Sequence, residues 1–180
     1  MKLNLGCGST KLEGYTNLDK HEVFNPDILH DLEICPWPLN DNSVSYVIAH
    51  HIMEHLGETS TKFMNILAEL YRICESKAIL DIRVPHYNCW IQYADPTHVR
   101  AILPEMFDLF DGERHPDSNL YLSTGLNFKV LQVEYIPVQP YQLKIDAKEI
   151  TLKEVIELSN HQVNIIAEYH MFIEIVKNET

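Results

Sequence analysis

The chain has 180 residues and a mass of 20.9 kDa, the size of one domain with little room for a second. Hydrophobic residues make up 46% and charged residues 22%, the globular norm, which excludes disordered, collagen-like and coiled-coil classes. Acidic residues outnumber basic ones 26 to 14, and the formal charge of −12 repels phosphate, which argues against general nucleic-acid or anionic-membrane binding while leaving room for one local basic site.

Strand-like and helix-like periods alternate along the chain. Lys2–Leu5 alternates as a short strand and ends in Gly6-Cys7-Gly8. Tyr15–Asp19 reads as a second strand and Asp27–Leu32 as a third, ending in acid. Asp41-Asn42-Ser43 is a turn signal before a buried strand, Val44–Ala49. Thr59-Ser60-Thr61 offers helix caps, and Phe63, Ile66, Leu67, Leu70, Tyr71 and Cys74 then recur at helical spacing. Lys77–Val84 is an apolar strand stopped by Pro85. Further on, Leu103–Phe110 reads as a short helix, Phe128–Ile136 as a strand, Thr151–Ser159 as a helix and Ile165–Val176 as a last strand. This alternation predicts an α/β fold whose parallel sheet is covered on both faces, with a closing antiparallel strand. Residues 138–165 read as an insertion before the last strand of a single domain spanning 1–180.

The four cysteines, Cys7, Cys35, Cys74 and Cys89, are widely spaced and form no Cys-x-x-Cys. Met1-Lys2-Leu3-Asn4 runs directly into a strand pattern rather than a signal peptide, and no apolar run approaches the roughly 20 residues of a membrane span. The expectation is a cytoplasmic protein with free thiols and no membrane contact.

Chemistry is concentrated at the ends of the early strands. Leu5-Gly6-Cys7-Gly8-Ser9 permits a sharp turn and a close backbone approach by a ligand. Asp19 ends the second strand, where a carboxylate can accept from both hydroxyls of a ribose; a solvated loop acid is the plainer alternative. The stretch His30-Asp31-Leu32-Glu33-Ile34-Cys35-Pro36-Trp37-Pro38-Leu39-Asn40-Asp41-Asn42-Ser43 precedes the fourth strand, which is followed by His51-Ile52-Met53-Glu54-His55-Leu56.

These segments resemble the class I S-adenosylmethionine-dependent methyltransferases, especially the small type 11 group, whose pattern there is acid-small-x-x-Leu-Pro-Phe-Pro-Asp-x-Ser-Phe-Asp, then a strand and His-Val-Leu-Glu-His-Leu. Glu69-Leu70-Tyr71-Arg72 resembles the family's next helix and Ile79–Pro85 its fifth strand. The resemblance spans residues 3 to about 110. It implies a doubly wound, Rossmann-like, mostly parallel seven-stranded sheet with one antiparallel strand, and methyl transfer from S-adenosylmethionine. It also implies that Gly6, Cys7 and Gly8 line the methionine and ribose portion of the cofactor, and that Asp19 holds the ribose. Asp31 and Leu32 address the adenine, and Ala49 and His50 border the methyl-donor end. Asn4, Thr10 and Ser45 depart from the family pattern, and only ten residues separate Gly8 from Asp19, so the first helix is very short or absent.

His51, Glu54 and His55 form His-x-x-Glu-His, which places three ligand types on one face if residues 50–56 are helical. Ubiquinone-pathway O-methyltransferases and small-RNA 2′-O-methyltransferases resemble this chain here: they carry Glu-x-x-Glu-His and bind a divalent metal. The RNA enzymes add a later histidine, matched by Asp95-Pro96-Thr97-His98-Val99-Arg100 before Glu105-Met106-Phe107. The resemblance implies a metal site of His51, Glu54, His55 and His98, and three imidazoles with one carboxylate suit zinc, iron, cobalt or manganese. Hydrogen bonding that merely orders the loop is the alternative. His50 and His86 stand as general bases near neutral pH.

The leading expectation is thus O-methylation of a small-molecule acceptor, with a second copy or a partner chain completing the pocket. A non-catalytic S-adenosylmethionine-binding subunit and a metal-dependent hydrolase using His51, Glu54 and His55 are the other readings.

Overall fold

Burial alternates sharply along the central strands. Leu80, Ile82 and Val84 are fully buried, whereas on the other row Ile79 and Arg83 are half-buried and Asp81 is 9% exposed. Val47 and Ala49 are buried while Tyr46, Ile48 and His50 are half-buried, and Tyr169, Met171 and Ile173 alternate with half-buried Phe172 and Glu174. A period of two with one wet row is the pattern of a sheet packed on a single face. The sheet is the expected mostly parallel, Rossmann-like one, with its second row covered less deeply than its first.

The computed structural model describes residues 1–177. Its strands are β1 (Lys2–Leu5), β2 (Thr16–Asp19), β3 (Ile28–Leu29), β4 (Val44–His50), β5 (Cys74–Pro85), β6 (Phe128–Pro137) and β7 (Ile166–Ile175). They form one sheet in the order β3-β2-β1-β4-β5-β7-β6. All neighbours are parallel except β7, which runs antiparallel to both β5 and β6. The order reverses between β1 and β4, the switch point at which open α/β sheets bind ligands beyond the carboxyl ends of their strands.

The helices are α1 (Ser60–Ile73), α2 (Trp90–Ala94), α3 (Pro104–Asp108), α4 (Asn119–Thr124), α5 (Gln139–Asp146) and α6 (Leu152–Ser159). Thr59 caps α1 by accepting from Lys62 N, and Phe63, Ile66, Leu67, Leu70 and Ile73 form its buried stripe. That stripe joins Leu3, Leu5, Val47, Leu80, Ile82, Met171 and Ile173 in the main core. Residues 138–165 form α5 and α6, whose Val155 packs with Ile165 and Ile166 in a smaller cluster. α2, α4 and α5 carry no period strong enough to read from the sequence, because each is short and buries little of its own surface.

As the spacing indicated, residues 6–15 join β1 to β2 without a helix. The loop before β4 is instead held by a clamp. Arg72 Nε and Nη2 pair with both oxygens of Glu69 at 2.9 and 2.7 Å, Glu69 Oε2 accepts Trp37 N at 2.7 Å, and Arg72 Nη1 donates to Leu39 O at 2.8 Å. All four cysteines are free thiols. Among the described residues, no helix is long and apolar enough to cross a membrane.

Candidate active site

A cavity of about 400 Å³ opens at the carboxyl ends of β1 and β2. Gly6, Asp19, Asp31, Leu32, His51 and His55 are among its walls. Gly6 sits at φ +60°, and a Cβ there would meet the Ile52 side chain at 2.7 Å, so only glycine lets the chain pass beside the cavity. Asp19 is 7% exposed, and its carboxylate accepts Gly8 N at 2.9 Å and His21 N at 2.8 Å. These bonds fix the carboxylate and leave each oxygen a further lone pair. Asp31 Oδ1 is held in the same way, by Glu33 N at 3.0 Å, beside the apolar Leu32. A fixed acid, a second acid and an apolar wall fit a ribose, an exocyclic amine and an adenine ring.

Not all the expected cofactor residues reach this cavity. Cys7, Gly8, Ala49 and His50 are not in its walls. Ala49 is fully buried in the core, and Gly8 contributes through its bond to Asp19. Burial, then the Asp19 carboxylate, pushes the Cys7 thiol up. His50 points to the half-exposed face, where Nε2 lies 2.7 Å from Asp81 Oδ1. His86 is 2% exposed and packs against Tyr87 and Tyr169, and burial pushes its pKa down to about 4. Its Nδ1 accepts Asn88 N at 3.2 Å, which leaves the ring no free basic atom.

A second, open cavity adjoins the first and is walled by His51, Glu54, His55, Asp95 and His98, among others. His51 and His55 border both. One ligand atom from each of Glu54, His55 and His98 lies within 4.8 Å of the others. Glu54 O accepts Val99 N at 2.9 Å, which brings the Asp95–Arg100 loop onto the 3-10 turn Met53–His55.

The protons of this cluster can be assigned. His98 Nδ1 faces the Gln92 carbonyl at 3.0 Å and must donate to it, so Nε2 carries the lone pair. Thr97 Oγ1 donates to Asp95 Oδ1 at 2.6 Å and therefore accepts from His55 Nδ1 at 2.9 Å, which leaves His55 Nε2 bare. Both oxygens of Glu54 are buried and make no full hydrogen bond; the His51 ring, 3.4 Å from Oε1, is their one ion-pair neighbour among the described residues. A fully buried, unsatisfied carboxylate is costly, and two lone pairs beside it offer no relief. A cation would satisfy all three groups, so the donor set fits a divalent metal.

His51 does not join this convergent group. Residues 50–56 are not one helix: His51 is left-handed at φ +53°, and the 3-10 turn begins only at Met53. Its ring lies 3.4 Å from Glu54 Oε1 and 3.5 Å from Glu168 Oε1. The Glu54 carboxylate raises the His51 pKa, opposed by burial and helped by Glu168. Arg100 bonds to Gly57 O and lies 4.0 Å over the Phe63 ring.

Thr97, Gln92 and Glu168 were not singled out by the sequence. Thr97 stands in the Asp95–Arg100 segment of the resemblance without a role of its own, and nothing local marks Gln92 or Glu168, which arrive from other elements.

No family model matches the chain, and no curated protein matches it. Solved structures do. A SAM-dependent methyltransferase from Archaeoglobus fulgidus is 19% identical with a TM-score of 0.66, covering 96% of this chain and 85% of its own. The YcgJ protein of Bacillus subtilis is 14% identical with a TM-score of 0.59, covering 99% and 92%. A SAM-dependent methyltransferase from Methanosarcina mazei is 12% identical with a TM-score of 0.55, covering 98% and 92%. The chain has the fold of the S-adenosylmethionine-dependent methyltransferases.

Proposed function

We propose that this protein transfers a methyl group from S-adenosylmethionine to an oxygen of a small-molecule acceptor, assisted by a divalent cation. The carrying observation is that His51 and His55 border both cavities, so the cofactor pocket and the cation cluster share a wall. Asp19 would hold the ribose, Asp31 and Leu32 the adenine, and the Gly6 backbone the remainder of the cofactor. The acids Asp19, Asp31 and Glu33 around the cavity favour a bound sulfonium cation.

S-adenosylmethionine supplies an electrophilic methyl group when bound. Glu54, His55 and His98 would hold zinc, iron, cobalt or manganese, which supplies Lewis acidity that lowers the pKa of a hydroxyl. The chain's part is largely orientation: the shared wall brings acceptor and donor into line, and proximity of this kind accounts for much of the rate in two-substrate transfers. His51 borders both cavities without belonging to the cation cluster, and it is the imidazole positioned to take the acceptor proton. Trp90, Ile91 and Pro96 give the open cavity an apolar rim for a small organic acceptor.

The test is calorimetric titration with S-adenosylhomocysteine, followed by turnover of S-adenosylmethionine against hydroxylated small molecules with and without manganese. Binding, with metal-stimulated turnover of a hydroxyl acceptor, supports the proposal. Absence of binding overturns it, and binding without turnover on any acceptor favours a cofactor-binding subunit.

A further inference from the structure

Asp81 Oδ1 lies 2.7 Å from His50 Nε2 and 2.7 Å from His170 Nε2. The three residues stand on adjacent strands β4, β5 and β7, on the half-exposed face of the sheet. Behind them, Tyr46 OH donates to Asp81 Oδ2 at 3.0 Å, and Glu134 Oε2 of β6 lies 3.1 Å from His170 Nδ1. Phe172 packs on the His170 ring with centroids 4.4 Å apart.

His170 is thus pinned between two carboxylates, one at each ring nitrogen. A carboxylate oxygen only accepts, and a neutral imidazole has only one N–H. With Nδ1–H donated to Glu134, the 2.7 Å gap between His170 Nε2 and Asp81 Oδ1 is closed either by a second ring proton or by a cation in its place. A cation that displaces the proton is coordinated by both groups. The ring with its second nitrogen bonded to a carboxylate is the usual backing of a metal-ligating histidine. Tyr46 backs Asp81 in the same manner.

We propose that His50, Asp81 and His170 bind a late first-row divalent cation, zinc or iron(II), at a site separate from the Glu54, His55 and His98 cluster. Two imidazoles and one carboxylate on one side of the ion leave the remaining positions to water. Metal–ligand bonds of about 2.0–2.1 Å place neighbouring ligands about 2.9 Å apart around an octahedral ion and about 3.3 Å apart around a tetrahedral one, so the observed contacts need to open by roughly 0.2–0.6 Å. The ligand atoms already lie within 4.8 Å of one another. Access runs past His50, whose side chain is 33% exposed, against 12% for Asp81 and 8% for His170. Arg83, register partner of both histidines, is the neighbouring cation, and Asp81 and Glu134 provide two negative charges against it.

The experiment counts cobalt(II), a spectroscopic probe for such sites, on metal-free, tag-free protein. The Glu54→Gln variant, which disables the other cluster, should bind one cobalt per chain with visible d–d absorption. Adding Asp81→Asn should abolish that absorption, and adding Glu134→Gln, which leaves the ligands in place, should weaken binding about 10- to 100-fold. The proposal is overturned if Glu54→Gln binds no cobalt, or if the Asp81→Asn addition binds it equally well. Because Asp81→Asn risks the fold, nitrogen NMR of the imidazoles in Glu54→Gln gives an independent readout. Zinc should leave His170 with one ring proton. A doubly protonated His170 that zinc does not change also sinks the proposal.

Discussion

The Thr97 hydroxyl lies 2.9 Å from His55 Nδ1 and, because its own proton goes to Asp95, it accepts there. One threonine thereby sets which nitrogen of His55 is free. Thr97→Val should lower cation affinity at the Glu54 cluster by about 10- to 100-fold, while Thr97→Ser should restore it. Metal titration of the two variants distinguishes tautomer control from simple packing, which valine preserves.

Asp19 is held by two backbone amides in the wall of the cavity proposed to take the cofactor. Asp19→Ala should weaken S-adenosylhomocysteine binding by about 1.5–3 kcal/mol, the worth of a hydrogen bond to a charged acceptor, or roughly 10- to 150-fold in Kd. Calorimetry measures this directly, and a Kd unchanged from wild type removes Asp19 from the ribose site.

His51 is offered as the proton acceptor between the two cavities. His51→Gln should reduce kcat by about 10²- to 10⁴-fold and leave the Kd for S-adenosylhomocysteine within a few-fold of wild type. Steady-state kinetics together with calorimetry give both numbers.

The Glu69–Arg72 pair ties the loop before β4 to α1. The Arg72 guanidinium lowers the Glu69 pKa, against burial, with help from Trp37 N. A carboxylate depressed in the folded state stabilises at pH values above its unfolded pKa, and that contribution is lost as pH falls through the folded value. Glu69→Gln should therefore cost about 2 kcal/mol at pH 7, the scale of hydrogen bonds to a charged group, with the deficit shrinking below about pH 4. Urea unfolding at pH 7 and pH 3.5 checks both the size and the sign.

His86 has the opposite charge logic. Burial keeps its imidazole neutral, with a pKa of about 4, below the unfolded value. Between about pH 6.5 and 4 the unfolded chain binds a proton that the folded chain refuses, so stability falls as pH falls. The contribution reaches about 3 kcal/mol across that window. His86→Phe should flatten this part of the profile relative to wild type in thermal or urea unfolding.

Four of the residues expected to hold a cofactor line one cavity, and their place there depends on local order. Gly6, Asp19, Asp31 and Leu32 sit at or beyond strand ends, and a strand end followed by glycine or acid is a short-range pattern. The strands and α1 were legible because periods of two and 3.6 reflect which side chains a core must bury. The resemblance of the His-x-x-Glu-His and Asp-Pro-Thr-His segments likewise singled out Glu54, His55 and His98, which converge. His51 lies outside that grouping, since spacing assumes a regular helix and the backbone at His51 is left-handed.

Only the tertiary structure brought His50, Asp81, His170 and Glu134 together. Asp81 and His170 are 89 residues apart and meet because β7 inserts antiparallel beside β5, a choice of neighbour that neither strand's own pattern encodes. The half-exposed sheet face was equally hidden, because alternation shows that one row is polar without showing which rows line up. Local order marked Gly6, Asp19, Asp31 and Leu32, which line one cavity, and strand order and register decided which distant side chains share that scaffold.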